Sequence, residues 1–383
     1  MKYIVPICLL VAIVVGIFKN LKAQKLFQDE VEIVNDNFKQ SNFDLSDFYS
    51  NNPYLDKQVE EKYQSLTTKQ KAAQIIMYAV SSTDATYTYS TTLKLLQDTI
   101  IDNVIFLKGD INIIKKQIDL FNEINKDINK LYACDCEPYL FNMKYFNTPK
   151  VPKTNLLNTN DDVINAATTI AETLLQTGIT VNFAPVIDNN KNTSVISGRA
   201  FSNDTAIILE KSKLFIDVTQ GSNIATSIKH FPGHGSVVGD SHKNLVYING
   251  KMEEVATFKS SLQEANPIFV MVGHIAVKNN EAYNTNNLPS TISKNIVTGL
   301  LKDKLNFKGI AITDAMNMLG VATIPNADFK ALEAGNDIIL MPSNPRKLST
   351  QIVATLQQNN DLSQQIEASI KKVIRLKICQ QQQ

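Results

Sequence analysis

Two patterns alternate along the chain. Over residues 103–107, 180–186, 224–228, 268–272, 309–313 and 337–341, short apolar runs read as strands buried on both faces. Between them lie longer stretches at helical spacing. Val163, Ile164, Ala167, Ile170, Ala171, Leu174 and Leu175 make one apolar face, and Gly178 is well placed to end that helix. Leu66, Ala72, Ala73, Ile75 and Ile76 also recur at helical spacing, behind Ser/Thr residues able to cap a helix. Strand then helix, repeated, predicts a parallel sheet, which could be an open doubly wound sheet or a closed barrel. The polar residues separate the two. Asp188, the pair Lys229-His230, His274 and Asp314 each follow a candidate strand at once. A barrel gathers one site from the carboxyl ends of many strands, whereas an open sheet concentrates its site at a switch point. The pattern therefore favours a TIM-like (β/α)8 barrel, placed at residues 61–383.

Residues 24–60 are rich in Asn, Asp and Gln and keep no sustained period, so they read as a polar extension that wraps or tethers the domain. Residues 1–23 differ again. Lys2 precedes an apolar run over residues 4–18, and Leu21-Lys22-Ala23 offers a small residue before a cut at Gln24. This predicts an export signal and hence a periplasmic or secreted protein. An uncleaved anchor formed by residues 4–18 is the competing reading, but the run is shorter than the roughly 20 residues that span a bilayer, and Pro6 interrupts it.

Composition narrows the partners. Apolar residues at 44% are enough for a sizeable core, and 38 Lys plus Arg against 37 Asp plus Glu leave no global field for a phosphate backbone, so nucleic acid is not expected. No partner protein is implied. Neither a GxGxxG nor a Walker pattern is present, and no cofactor is expected. Cys8 lies in the signal, leaving Cys134, Cys136 and Cys379. An odd count at that spacing reads as incidental thiols rather than a disulfide framework.

The densest chemistry is Lys229-His230-Phe231-Pro232-Gly233-His234-Gly235, followed by Asp240-Ser241-His242. His230 and His234 have the spacing of a helical zinc pair, but Pro232, Gly233 and Gly235 oppose a helix and no acidic residue lies between the rings, so no metal site is expected. A mobile loop is the more productive reading. Asp240 could orient the His242 imidazole and favour its charged form, which suits a general acid. Asp314 reads either as a helix cap for the residues after it or as a carboxylate at a barrel mouth. Together with the histidine loop, it would complete the two groups that glycoside cleavage needs.

At these residues the sequence resembles glycoside hydrolase family 3, and within it the β-N-acetylhexosaminidase branch. The Lys-His-Phe-Pro-Gly-His-Gly run and the Asp-Ser-His after it carry the resemblance. Asn182-Phe183-Ala184-Pro185-Val186-Ile187-Asp188, Ser197-Gly198-Arg199-Ala200-Phe201, Gly273-His274-Ile275 and residues 307–314 and 331–341 support it. It covers about residues 61–375. The resemblance implies a TIM-like barrel and retaining hydrolysis through a covalent glycosyl-enzyme. It assigns Asp314 as nucleophile, Asp240 and His242 as the acid/base dyad, and Asp135, Arg199, Lys229 and His230 to sugar binding.

The chain departs from the family after Asp135. Where the family usually reads Gln-Glu-Gly-Gly-Arg-Val, this sequence has Cys136-Glu137-Pro138-Tyr139-Leu140. Ala315 replaces a common acidic residue, and Ser236-Val237 a common Asp-Thr; neither change removes a catalytic group. The expected substrate is an N-acetylglucosamine-containing glycan. A phosphorylase, another family 3 β-glycosidase or an inactive sugar-binding protein are the alternatives.

Overall fold

A computed structural model describes residues 42–126, 129–241 and 243–381. The expected signal segment (residues 1–23), residues 24–41 of the expected polar extension, and His242 lie outside the described residues.

Eight strands make the frame: β1 (Ile76–Ser81), β2 (Asn103–Asp110), β3 (Leu131–Cys134), β4 (Val181–Asn182), β5 (Ala225–Phe231), β6 (Phe269–Val272), β7 (Ile310–Thr313) and β8 (Ile339–Leu340). They follow one another in the order β7-β6-β5-β4-β3-β2-β1-β8, each pairing parallel with its neighbour. A parallel bridge between Ile312 and Ile338 joins the two ends, so the sheet closes. The TIM-like barrel expected from the strand-end residues is the observed fold. Every residue of β5, β6 and β7 is buried, as parallel strands covered on both faces require. Ile228, Val270 and Ala311 from these strands share one apolar cluster with Phe258, Val297 and Leu301 of the flanking helices.

The seam between β7 and β8 has its own fastening. Asp337, just before β8, accepts from the Ala311 N–H (2.8 Å), Lys302 Nζ (2.9 Å) and Ser369 Oγ (2.7 Å). Burial alone would raise this carboxyl, but Lys302 and Lys372 outweigh it and bring it down to about 2.

Each of the six apolar runs contains a strand of the barrel, but its other two strands, β1 and β3, escaped the pattern. The helical spacing from Leu66 to Ile76 covers two elements. The helix Thr68–Ala73 stops, and Ile76 already opens β1. A short buried run cannot be assigned to helix or strand by periodicity alone, and here the buried run continues to Val80. β3 spans Leu131–Cys134, a run closed off by Lys130 and Asp135 that the sequence reading passed over. By contrast, the helix Asn160–Thr177 ends as expected: Gly178 takes φ 89°, and its N–H returns to Leu174 O at 3.0 Å.

Residues 44–60 fold with the barrel domain. The helix Pro53–Ser65 buries Leu55, Val59 and Tyr63 and packs on the last helix, Asp361–Cys379. Arg375 of that helix donates to the carbonyls of Phe48 (2.6 Å) and Ser50 (2.5 Å). The polar composition of this stretch hid three apolar positions at helical spacing.

Candidate active site

The carboxyl ends of the strands open into a cleft of about 350 Å³, within the range of about 300–1,000 Å³ usual for small-molecule sites. Asp135 follows β3, Lys229 and His230 end β5, and Asp314 follows β7. Arg199 and Asp240 reach the same cleft from the loops after β4 and β5. All six described residues singled out from the sequence therefore line one cavity. Its floor is apolar, formed by Ile105, Met271, Leu340 and Met341.

Asp314 is no helix cap. The nearest following helix, Leu319–Ala322, starts five residues later. The Asp314 N–H donates to Val272 O (2.8 Å), which continues the ladder between β6 and β7, and its Oδ1 accepts from the Ala315 N–H at 2.8 Å. His274 supports the same turn from β6: its Nε2 lies 3.0 Å from Ala315 O, and its Nδ1 lies 2.9 Å from Thr291 Oγ1.

One wall of the cleft is an ion-pair chain. Lys144 reaches Asp135 Oδ2 (3.0 Å), Lys229 reaches Asp135 Oδ1 (2.9 Å) and Glu137 Oε1 (2.7 Å), and Arg199 grips Glu137 with Nε (2.8 Å) and Nη2 (2.7 Å). Lys229 and Glu137 are each 1% exposed, so neither charge is tolerable without the other. Burial works against the ionised form of Asp135, yet Lys144 and Lys229 hold its carboxyl well below the usual range. The same opposition, with Arg199 and Lys229 prevailing, brings Glu137 down to about 2. Burial would lower Lys229, but Asp135 and Glu137 raise it, so its ammonium persists.

Asp188 organises the second wall. Its Oδ2 takes the His230 N–H (2.9 Å) and lies 2.7 Å from His230 Nδ1, while Oδ1 takes the His234 N–H at 2.8 Å. Below it, Glu254 accepts from the Gly235 N–H (2.9 Å) and Ser236 Oγ (3.2 Å), and Asn189 Nδ2 donates to it as well. Gly233 and Gly235 are required here. A Cβ on Gly233 would lie 2.5 Å from Glu254 Cβ, and one on Gly235 would lie 2.1 Å from Asn189 O.

Burial, then the nearby Asp188 charge, push the Glu254 carboxyl up from 4.5 to about 8. The folded state therefore holds a proton that the unfolded chain has lost between those values, and stability is expected to fall as pH rises from about 4.5 to about 8. Thermal melts across that interval should show this slope in the wild type and a flatter one in Glu254→Gln.

Sequence reasoning did not single out Glu137, Lys144, His234 or Glu254 for a role. His234 carried a signal, since it lies within the Lys-His-Phe-Pro-Gly-His-Gly run, and Glu137 lies only two residues beyond Asp135. The structure also corrects the reading of the cysteines. Cys134 and Cys136 form a disulfide across Asp135, with Cα atoms 5.5 Å apart; an extended chain would put them about 6.5 Å apart, so the backbone bends where β3 ends. Cys379 is buried and free.

Comparison with known proteins agrees with this geometry. The model of the glycosyl hydrolase family 3 N-terminal domain matches residues 62–376. The β-hexosaminidase A of Pseudoalteromonas piscicida is 29% identical over 237 residues, covering 55% of this chain and 40% of that protein. The β-hexosaminidase of Vibrio cholerae is 30% identical over 192 residues, covering 49% and 56%. The chain thus spans about half the length of these relatives. Among solved structures, a family 3 β-N-acetylglucosaminidase from Paenibacillus sp. superposes with a TM-score of 0.73 at 24% identity, over 82% of this chain and 63% of that one. A β-glucoside phosphorylase superposes at 0.78 with 18% identity, over 87% and 62%. At these identities the structural likeness establishes the fold. With the family model matching residues 62–376, the chain belongs to glycosyl hydrolase family 3.

Proposed function

We propose that this chain is an exported, retaining exo-β-N-acetylglucosaminidase that removes terminal N-acetylhexosamine from cell-wall fragments or chito-oligosaccharides. One observation carries the reading: Asp314 shares a cleft with Asp135, Arg199, Lys229 and His230, and Asp240 enters it from the glycine-rich loop. The β-hexosaminidase relatives support the choice of sugar. The apolar run after Lys2 supports export.

In this account the Asp314 carboxylate attacks the anomeric carbon, and the departing oxygen takes a proton from His242, whose charged form Asp240 favours. The same imidazole then removes a proton from water, which cleaves the Asp314–sugar ester. Two displacements leave the anomeric configuration unchanged. Lys229 commits two of its three donors to Asp135 and Glu137, which leaves one for a sugar hydroxyl. Asp135 takes one ammonium on each oxygen and keeps lone pairs for hydroxyl donors. Charge-assisted bonds of this kind contribute about 1.5–3 kcal/mol each.

The test is to incubate the purified chain with an aryl β-N-acetylglucosaminide, with and without inorganic phosphate. Free N-acetylglucosamine, formed first as the β anomer in both mixtures, is expected. Sugar 1-phosphate would mark a phosphorylase, an α first product would contradict retention, and binding without release would leave a sugar-binding protein.

A further inference from the structure

We propose that His234 is a positioning residue that holds the acid/base segment in place through Ser241, the neighbour of Asp240. The proposal rests on the glycosidase reading above for its kinetic consequence, and on hydrogen-bond geometry for everything else. His234 and Ser241 are each 1% exposed, and His234 Nε2 lies 2.8 Å from Ser241 Oγ. The other ring nitrogen, Nδ1, lies 3.1 Å from Asn192 Nδ2.

The orientation of Asn192 is fixed from both sides. Its Oδ1 accepts the Ser194 N–H (3.0 Å), while its Nδ2 faces the carbonyls of His234 (3.2 Å) and Gly239 (3.1 Å). An amide nitrogen is a donor only, so Nδ1 of His234 carries no proton toward it. The ring proton then sits on Nε2 and is given to Ser241. Burial, followed by the neighbouring His230, disfavours the charged ring, which agrees with a single neutral tautomer.

The segment is also held from the other side. The Asp240 carbonyl accepts from the N–H groups of Lys243 (3.0 Å) and Asn244 (3.1 Å), which closes a turn. That turn rests against Gly320, where a Cβ would stand 3.0 Å from Ser241 O. Gly320 belongs to the helix Leu319–Ala322, just beyond Asp314. His234 therefore ties the acid/base segment to the end of β5, and Gly320 seats it beside the residue that attacks. Loss of the His234 bond leaves the nucleophile in place and loosens only the proton donor.

The experiment compares the full chain carrying His234→Ala, Ser241→Ala, both changes, or His234→Gln, on aryl β-N-acetylglucosaminides with a poor and a good leaving group. Misplacing a catalytic group by about 1 Å costs on the order of 10²-fold. We expect a kcat/KM loss of that size on the poor leaving group, whose departure needs the acid, and little change in kcat/KM on the dinitrophenyl substrate; kcat falls on both, since the same imidazole assists water in the second step. The double variant should be no worse than either single one, since both remove the same bond. His234→Gln, which keeps a side-chain N–H donor, should recover part of the loss. Hydrogen exchange at the Lys243 and Asn244 amides should accelerate in the Ala variants. Ser241→Ala makes the smaller change in packing and so keeps the test open if His234→Ala misfolds. Additive losses, or a KM rise shared by both substrates, would overturn the proposal, as would unchanged exchange. An inactive wild type would refute the glycosidase reading alone, with the exchange measurement still deciding the His234 tether.

Discussion

Asp314→Ala is expected to reduce turnover of an aryl β-N-acetylglucosaminide on the order of 10⁴-fold or more, the scale on which removing a cooperating nucleophile acts. The side chain stands at the end of β7, and its backbone N–H is already committed to Val272 O on β6. Removal of the carboxylate therefore leaves the barrel ladder intact, and the loss should appear in kcat with the melting profile little changed. Substrate should still bind, because Asp135, Lys229 and Arg199 hold one another independently of Asp314. Azide offers a direct check. In the vacated space it would attack from the same face as the missing carboxylate and yield the α-glycosyl azide.

Lys229→Met is expected to cost stability as well as activity. The Lys229 ammonium lies between two carboxylates at 2.9 and 2.7 Å and is 1% exposed. Methionine keeps the length of the side chain but leaves Asp135 with Lys144 alone and Glu137 with Arg199 alone. Each carboxylate keeps one cation, so the cost should stay below the roughly 3–5 kcal/mol of a buried charge left wholly unpaired. The denaturant midpoint should fall without a change in the slope of the unfolding curve. The loss should be greatest well above pH 4, where Asp135 and Glu137 are ionised even in the unfolded chain. It should shrink as acid protonates Glu137 toward about 2. A double variant, Lys229→Met with Glu137→Gln, should lose further stability, since Arg199 is then left without the carboxylate it grips.

The barrel was legible because its chemistry sits where its strands end. Asp188, Lys229, His230, His274 and Asp314 each follow an apolar run, and that coincidence separates a closed barrel from an open sheet before any contact is known. Long buried runs were equally plain. β1 was not, because a helix of six residues runs into it and the two share one apolar pattern. The site was legible as a set of residues and far less as a network. Lys144 meets Asp135 only because the chain turns back beside β2, and Glu254 meets Gly235 across 19 residues. Spacing cannot report such pairs. The Cys134–Cys136 bridge is local, yet it needs a bend at the end of β3 that no sequence pattern announced.

The claim at the centre of this account is that Asp314 carries the sugar between two displacements. Rapid quenching of the wild type with a fluorinated, slowly released β-N-acetylglucosaminide, followed by peptide mass spectrometry, tests it most directly. The account predicts one sugar adduct, on the peptide containing Asp314, that decays as free sugar appears and is absent from Asp314→Ala. Sugar released with no adduct at any time, or an adduct that persists in Asp314→Ala, would contradict it.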